Sequence, residues 1–395
     1  MRELLKRAGV ALSGFFAVVP TLAGGTFGAG SIVVAAQTAR ADETLDALLA
    51  RIRSAVLTAD ADGYLACVDV RDPVFAREQK NWVADLKRKP VKEFSVQVQD
   101  QALVGPDGPM NGQLTMSWKI ADEDAVGRTI SFPATFTRDA AGGWLYAGEA
   151  WQSIEANGVK VLYDHGLDEV AKNVVEILPD IRAHVNEGFE VAINRVQEVK
   201  LYGSMRHLQQ SIYLSYVDSL GGWNEPGESI KILVGRRSKP AELKPLLAHE
   251  YGHVATFEYG PKASGMPWWV LEGVAELSAE AFGGARDVSR MVGRWALNGK
   301  LADWDRLADF HMVKTEDHMY VYSQGHHMLG FVSEKFGRSG RNAWLRAMAQ
   351  GATLDDATRE AMKMSFAELD LAWRASFKIE GDAVAKPEPV KHDEN

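Results

Sequence analysis

The strongest constraint on this chain is a polar motif set inside an apolar helical run. Residues 249–253 read His-Glu-Tyr-Gly-His, flanked by Leu246, Leu247, Val254 and Phe257 at helical spacing, with a stop at Gly260-Pro261. On a helix, positions i and i+4 share a face, so the imidazoles of His249 and His253 can reach one metal ion. Glu250 stays beside the open coordination position and can take a proton from a water there. The motif is short enough to recur by chance, so a third ligand decides. Eighteen residues separate His253 from Glu272, which sits in Trp268-Trp269-Val270-Leu271-Glu272-Gly273-Val274-Ala275-Glu276. This segment reads as a second helix, opened by Pro267 and closed by Gly283-Gly284. Gly273 is expected to let the two helices approach closely. Glu276, at i+4 from Glu272, is the expected acceptor for a ligating histidine's outward N–H. Trp268 and Trp269 are expected to pack beneath this helix.

Together these residues resemble the gluzincin zinc peptidases, that is, the family-M1 aminopeptidases and the related peptidase-MA-like proteins. The resemblance covers residues 200–340. It implies one Zn2+ per chain, held by His249, His253 and Glu272, with Glu250 as general base. Downstream, Val321-Tyr322-Ser323-Gln324-Gly325 resembles the Y-x-K-G segment of the aminopeptidases, with Gln324 in place of lysine. That likeness implies that Tyr322 donates to the developing oxyanion, which gains from a pre-aimed donor. Upstream, Gly222-Trp223-Asn224-Glu225 partly resembles a G-x-M-E-N segment whose glutamate holds a substrate's amino group. The methionine and final asparagine are absent and Pro226 comes next. A substrate-binding role for Gly222, Trp223, Asn224 and Glu225 therefore stands beside that of a structured turn, and amino- versus endopeptidase action stays open. The adjoining strand, 230–234, can hydrogen-bond an extended peptide by strand addition. The implied activity is hydrolysis of a peptide or protein substrate. The alternative is a zinc-containing binding or cell-surface protein without turnover.

Chain length allows two or three domains, each with its own core, because 395 residues exceed what one core usually serves. The formal charge of −9 argues against a nucleic-acid partner, which needs a basic footprint. Residues 1–41 stand apart. Arg2, Lys6 and Arg7 precede an uncharged run from Ala8 to Ala39, and Ala39-Arg40-Ala41 fits a cleavage site. The segment reads as a signal peptide, or else as an uncleaved membrane anchor, and either places the remainder outside the cytoplasm as a secreted or anchored protein. Cys67 is the one cysteine, so an internal disulfide is excluded, and its apolar neighbours read as core.

Residues 42–157 form the expected accessory domain. Leu45, Leu48, Leu49, Ile52 and Val56 recur at helical spacing, and a second helix runs from Phe75 to Leu86. Alternation takes over at Phe94-x-Val96-x-Val98, Leu114-x-Met116-x-Trp118, Ile130-x-Phe132 and Trp144-x-Tyr146, broken by turn signals at 105–108 and 141–143. Helices followed by a four-strand meander resemble the cone-shaped fold of nuclear transport factor 2. Residues 158–379 form the expected zincin-type domain: strands near 159–162, 199–201 and 230–234, a helix over 167–189 interrupted at Pro179, and helices from Pro240 to Phe377. A polar tail, 380–395, is expected to be disordered. The whole reads as α+β, with a helix-plus-antiparallel-sheet half followed by a mostly helical half with a short sheet. His326 and His327 are expected in the core or in solvent.

Overall fold

The computed structural model describes residues 44–384, except 105–107, 123–124 and 284–287, with side chains described through residue 377. The leader, the turn residues Gly105-Pro106-Asp107, Gly284 and residues 385–395 lie outside the described residues. Among those described, no helix is long and apolar enough to cross a membrane.

The chain is α+β. Three helices, α1 (Leu45–Leu57), α2 (Ala61–Leu65) and α3 (Pro73–Arg88), precede a four-stranded antiparallel meander: β1 (Val91–Leu103), β2 (Met110–Ile120), β3 (Arg128–Arg138) and β4 (Trp144–Glu149). Helix α3 starts where Asp72 accepts from the Val74 and Phe75 amides and Pro73 supplies a preset φ. Leu114, Met116 and Trp118 of β2 alternate inward and meet Leu48, Ile52 and Trp82 in one core. The opposite face is polar, with hydroxyl pairs Thr115–Ser131 and Ser117–Thr129. Cys67 is buried, its thiol donating to the Gly63 carbonyl.

A second, mixed sheet has the order β5-β6-β7-β9-β8. Strands β6 (Val159–Tyr163), β7 (Gln197–Tyr202) and β9 (Ile230–Leu233) are parallel; β5 (Gln152–Ala156) and β8 (Gly222–Trp223) close the two edges antiparallel. Helix α4 (Asp168–Phe189) is the crossover from β6 to β7. It runs unbroken through Pro179, where an interruption is expected. Nine buried side chains, among them Val174, Leu178, Ile181 and Val185, hold its inner face and outweigh one lost backbone bond.

Beyond β9 the chain is helical: α5 (Met205–Ile212) lies earlier, and α6 (Pro240–Phe257), α7 (Trp268–Ala279), α8 (Val288–Leu297), α9 (His318–Ala349, two helical runs joined at a kink at Gly337), α10 (Leu354–Met362) and α11 (Phe366–Val384) come after. Three of these form the layer that carries the chemistry, with α7 between α6 and α9. The glycine that brings α6 to α7 is Gly252, inside the His-Glu-Tyr-Gly-His motif. A Cβ there would lie 2.9 Å from the Ala275 Cα and 2.6 Å from the Ser278 hydroxyl. Gly273, expected to serve that contact, serves the other side. A Cβ on it would lie 2.7 Å from the Gly325 carbonyl carbon, so it seats α7 on α9.

The two halves interlock through α3. Glu78 lies between Lys200 of β7 and Lys231 of β9 and also accepts from the Ser229 hydroxyl. The Trp82 and Trp118 indoles donate to the carbonyls of Gln210 (2.9 Å) and Leu214 (2.8 Å). These bonds tie the middle of α3, and β2 through Trp118, to the second half of the chain.

Candidate metal centre and its cleft

Because α6 and α7 lie close at Gly252, their polar side chains converge. His249 Nε2 is 3.2 Å and His253 Nε2 3.7 Å from the same Glu272 oxygen, Oε2. One donor atom from each of the three lies within 4.8 Å of the other two. Each is steered from outside. His249 turns Nδ1 to Glu276 at 3.3 Å, which leaves the Nε2 lone pair facing the cluster. The Trp268 indole donates to Glu272 Oε1 at 2.7 Å. Glu272 Oε2 is buried and, although His249 approaches it, no hydrogen bond is completed to it. A buried carboxylate oxygen in that state is costly. Two imidazole nitrogens and one carboxylate oxygen around a common point are the donor set of a zinc ion that keeps an open position, so these residues fit that metal.

The electrostatics stem from burial. Desolvation would lower the His249 value, but the carboxylates of Glu272 and Glu276 beside its two ring nitrogens raise it well above the usual range. His253 lacks such partners, and burial lowers it to about 4. Burial raises the Glu250 carboxyl to about 8; the charge of Glu272 adds to this and His249 opposes it. A metal cation at the cluster would draw that value down again.

The cluster floors a cleft of about 530 Å³ that also holds Glu250 and Tyr322. Tyr322, near the start of α9, has its ring 6.1 Å from that of His249 and 6.1 Å from that of Trp268. Gly222 on edge strand β8 faces the base directly: a Cβ there would sit 2.7 Å from the Glu250 carboxyl carbon. Trp223, Asn224 and Glu225 line the same cleft, though each is engaged. Trp223 packs edge-on against Tyr213, Tyr216 and Phe310. The Asn224 amide donates to the Ser229 carbonyl at 3.2 Å, and Glu225 accepts from the Tyr213 hydroxyl at 2.9 Å. Gly227, at φ +81°, closes the turn.

Several neighbours have roles that the sequence does not announce. Gln324 is fully buried and pairs with both backbone groups of Ala302, at 3.1 and 2.9 Å, so it braces the loop before α9. His326 bonds Glu280 at 2.8 Å, and His327 accepts from the Trp373 indole at 2.9 Å; neither reaches the cluster. Trp269 is fully buried, whereas Trp268 lines the cleft. The opposite wall comes from the first half of the chain: Asn81, Ala84, Asp85 and Arg88 of α3. The polar face of α3 looks like any solvated helix face in sequence, and its partners lie more than a hundred residues away.

A scan of protein-family models finds no match to this chain, and a search of curated proteins finds none. Among solved structures, a mutant of an M1 zinc metallopeptidase from Deinococcus radiodurans aligns at 12% identity and a TM-score of 0.36, covering 75% of this chain and 62% of that one. The same mutant bound to a Tyr-Ser-Ala substrate aligns at 12% identity and a TM-score of 0.35, covering 71% and 60%. The chain thus spans less than two thirds of either structure's length. Overlap at this level establishes neither a shared fold nor a shared activity, so the function of this chain has to be read from its own residues.

Proposed function

We propose that the protein is a zinc-dependent peptidase whose metal is held by His249, His253 and Glu272. The observation that carries this reading is the convergence of three donor atoms, one of them a buried carboxylate oxygen without a hydrogen-bond partner, beside a buried glutamate in an open cleft. Bound there, zinc would supply Lewis acidity, polarising a scissile carbonyl and making water a better nucleophile. The chain's own residues do the rest. Glu250 takes the proton of the attacking water and returns it to the departing amine. Tyr322 donates a hydrogen bond from its hydroxyl to the carbonyl oxygen as charge builds there. Strand β9, expected to pair with an extended peptide, is flanked by β7 and β8, so that role passes to the edge strand β8, where Gly222, having no side chain, leaves Glu250 room. Glu276 and Trp268 fix the ligands' orientation. Secretion or surface anchoring through residues 1–41, and an accessory role for residues 42–157, belong to the same proposal.

The test is cleavage of a mixed peptide library by the purified chain, read by mass spectrometry, beside Glu250→Gln. The reading predicts cuts that fall by about a hundredfold to ten-thousandfold in the variant, the size of a general-base contribution. Equal cleavage by both proteins would remove Glu250 from the mechanism. Shortened N-termini would identify an aminopeptidase, and internal cuts an endopeptidase.

A further inference from the structure

Among the described residues, one lysine or arginine lines the cleft, and it comes from the first half of the chain: Arg88, at the end of α3. Glu225, Glu250 and Glu272 line the same cleft. The Arg88 side chain is 39% exposed, yet it is held on three sides. Nε donates to Asp85 Oδ1 at 3.2 Å, and Nη2 donates to the same oxygen. The Asp85 side chain is buried, and its other oxygen accepts from the Ser215 hydroxyl at 2.5 Å. Nη1 touches the ring nitrogens of His311, and the guanidinium carbon lies 5.9 Å from the Tyr213 ring centre. A guanidinium has five N–H groups in a rigid plane. Asp85 takes Nε–H and one N–H of Nη2, and His311 lies against Nη1; the N–H groups that remain on the two terminal nitrogens are the donors a carboxylate can meet.

We propose that Arg88 is the carboxylate-recognising residue of this cleft, and that the preferred substrates are peptides carrying a carboxylate, a C-terminus or an acidic side chain, that seats on its guanidinium. The proposal rests on the peptidase reading above. With Arg88 the one lysine or arginine on the lining among the described residues, a substrate carboxylate meets a guanidinium at one place along the cleft, so one register is favoured and the cut is placed relative to the acid. The first half of the molecule then contributes specificity directly, through the last turn of α3.

The test compares matched short peptides: free acid against C-terminal amide, and Asp or Glu against Asn or Gln at internal positions. Both cleavage (kcat/KM) by the full chain and binding to the Glu250→Gln chain by calorimetry are measured. The wild-type chain is expected to favour the carboxylate peptide by about tenfold to a hundredfold, the worth of hydrogen bonds to a charged partner. Arg88→Met should reduce that ratio to near one, and Arg88→Lys, which keeps the charge and loses the fork, should leave an intermediate ratio. The free-acid and side-chain arms tell which carboxylate is read. A wild-type ratio near one in both measurements overturns the assignment, as does a ratio that survives in folded Arg88→Met. If Arg88→Met fails to fold, the lysine variant decides: a ratio equal to the wild type overturns the assignment. Preferential binding without cleavage of any peptide would support Arg88 and overturn the peptidase reading.

Discussion

Two clusters of buried charge are built from similar parts and end in different states. At the junction of the two sheets, Glu78 meets Lys200, Lys231 and the Ser229 hydroxyl, and Lys231 in turn reaches the Ser211 carbonyl and Glu228. Burial alone would raise the Glu78 carboxyl, but the two ammonium groups hold it below its usual range. In the helical layer, Glu272 meets two histidines and an indole, and one of its oxygens still lacks a hydrogen-bond partner. The first cluster is saturated by the chain itself and works as a fastener. The second is incomplete without a ligand. Saturation separates scaffold from site here, because both clusters are buried and charged.

That contrast can be broken most sharply by a pair of truncations. Glu272→Ala should abolish zinc binding and with it activity, while the metal-free chain loses much less stability than Glu78→Ala, since the partner lost by the Trp268 indole is offset by removal of an unsatisfied buried oxygen. Glu78→Ala should cost about 3–5 kcal/mol in a urea titration, because buried Lys200 loses its closest carboxylate and Lys231 keeps only Glu228. Zinc binding by the molecules that remain folded should persist. The reverse pattern, with Glu272 carrying stability and Glu78 carrying the metal, would invert the assignment of scaffold and site.

The cluster is legible in the sequence because its information is local. His249, Glu250 and His253 share one helix, and Glu272 and Glu276 share another, so spacing alone aims them. The contact that brings the two helices together is harder to read. Gly252 and Gly273 both lie in helices, and sequence does not say which neighbour each faces, so it points to Gly273 where the structure uses Gly252. The same limit hides the α3 wall of the cleft, whose contacts with Pro226 and Glu228 cross well over a hundred positions. It also hides the part played by Gln324, which stands where an aminopeptidase has lysine but is consumed by the Ala302 backbone. Alternation makes β2 and β3 visible; β5, at the rim of the second sheet, is mostly exposed and shows none.

Smaller effects sharpen the picture of the site. Tyr322→Phe should lower kcat by about a hundredfold to a thousandfold, as loss of an oxyanion donor does, with zinc content unchanged. An unaltered kcat would assign Tyr322 to packing. Gly222→Ala should cost up to about a hundredfold in kcat/KM, because the added methyl displaces the Glu250 carboxylate while the metal ligands stay in place. Full activity in that variant would show that Glu250 has room to move without consequence.

The smallest effect belongs to the scaffold. Glu149 faces His207 at 3.6 Å, and despite burial, that partner and Lys200 lower its carboxyl to about 2 from an ordinary 4.5. A depressed folded value means stability that is fully present above pH 4.5 and lost as the pH falls toward 2. Melting temperatures measured from pH 5 to pH 2 should therefore fall less steeply in Glu149→Gln than in the wild type. Parallel curves would show that the pair contributes nothing to acid sensitivity.

The most direct test of the central claim is native mass spectrometry of the chain purified with zinc present, beside Glu250→Gln and Glu272→Ala. One zinc per chain in the wild type and in Glu250→Gln, with none in Glu272→Ala, is the predicted result. A wild-type chain without zinc, or a Glu272→Ala chain that retains it fully, would contradict the account.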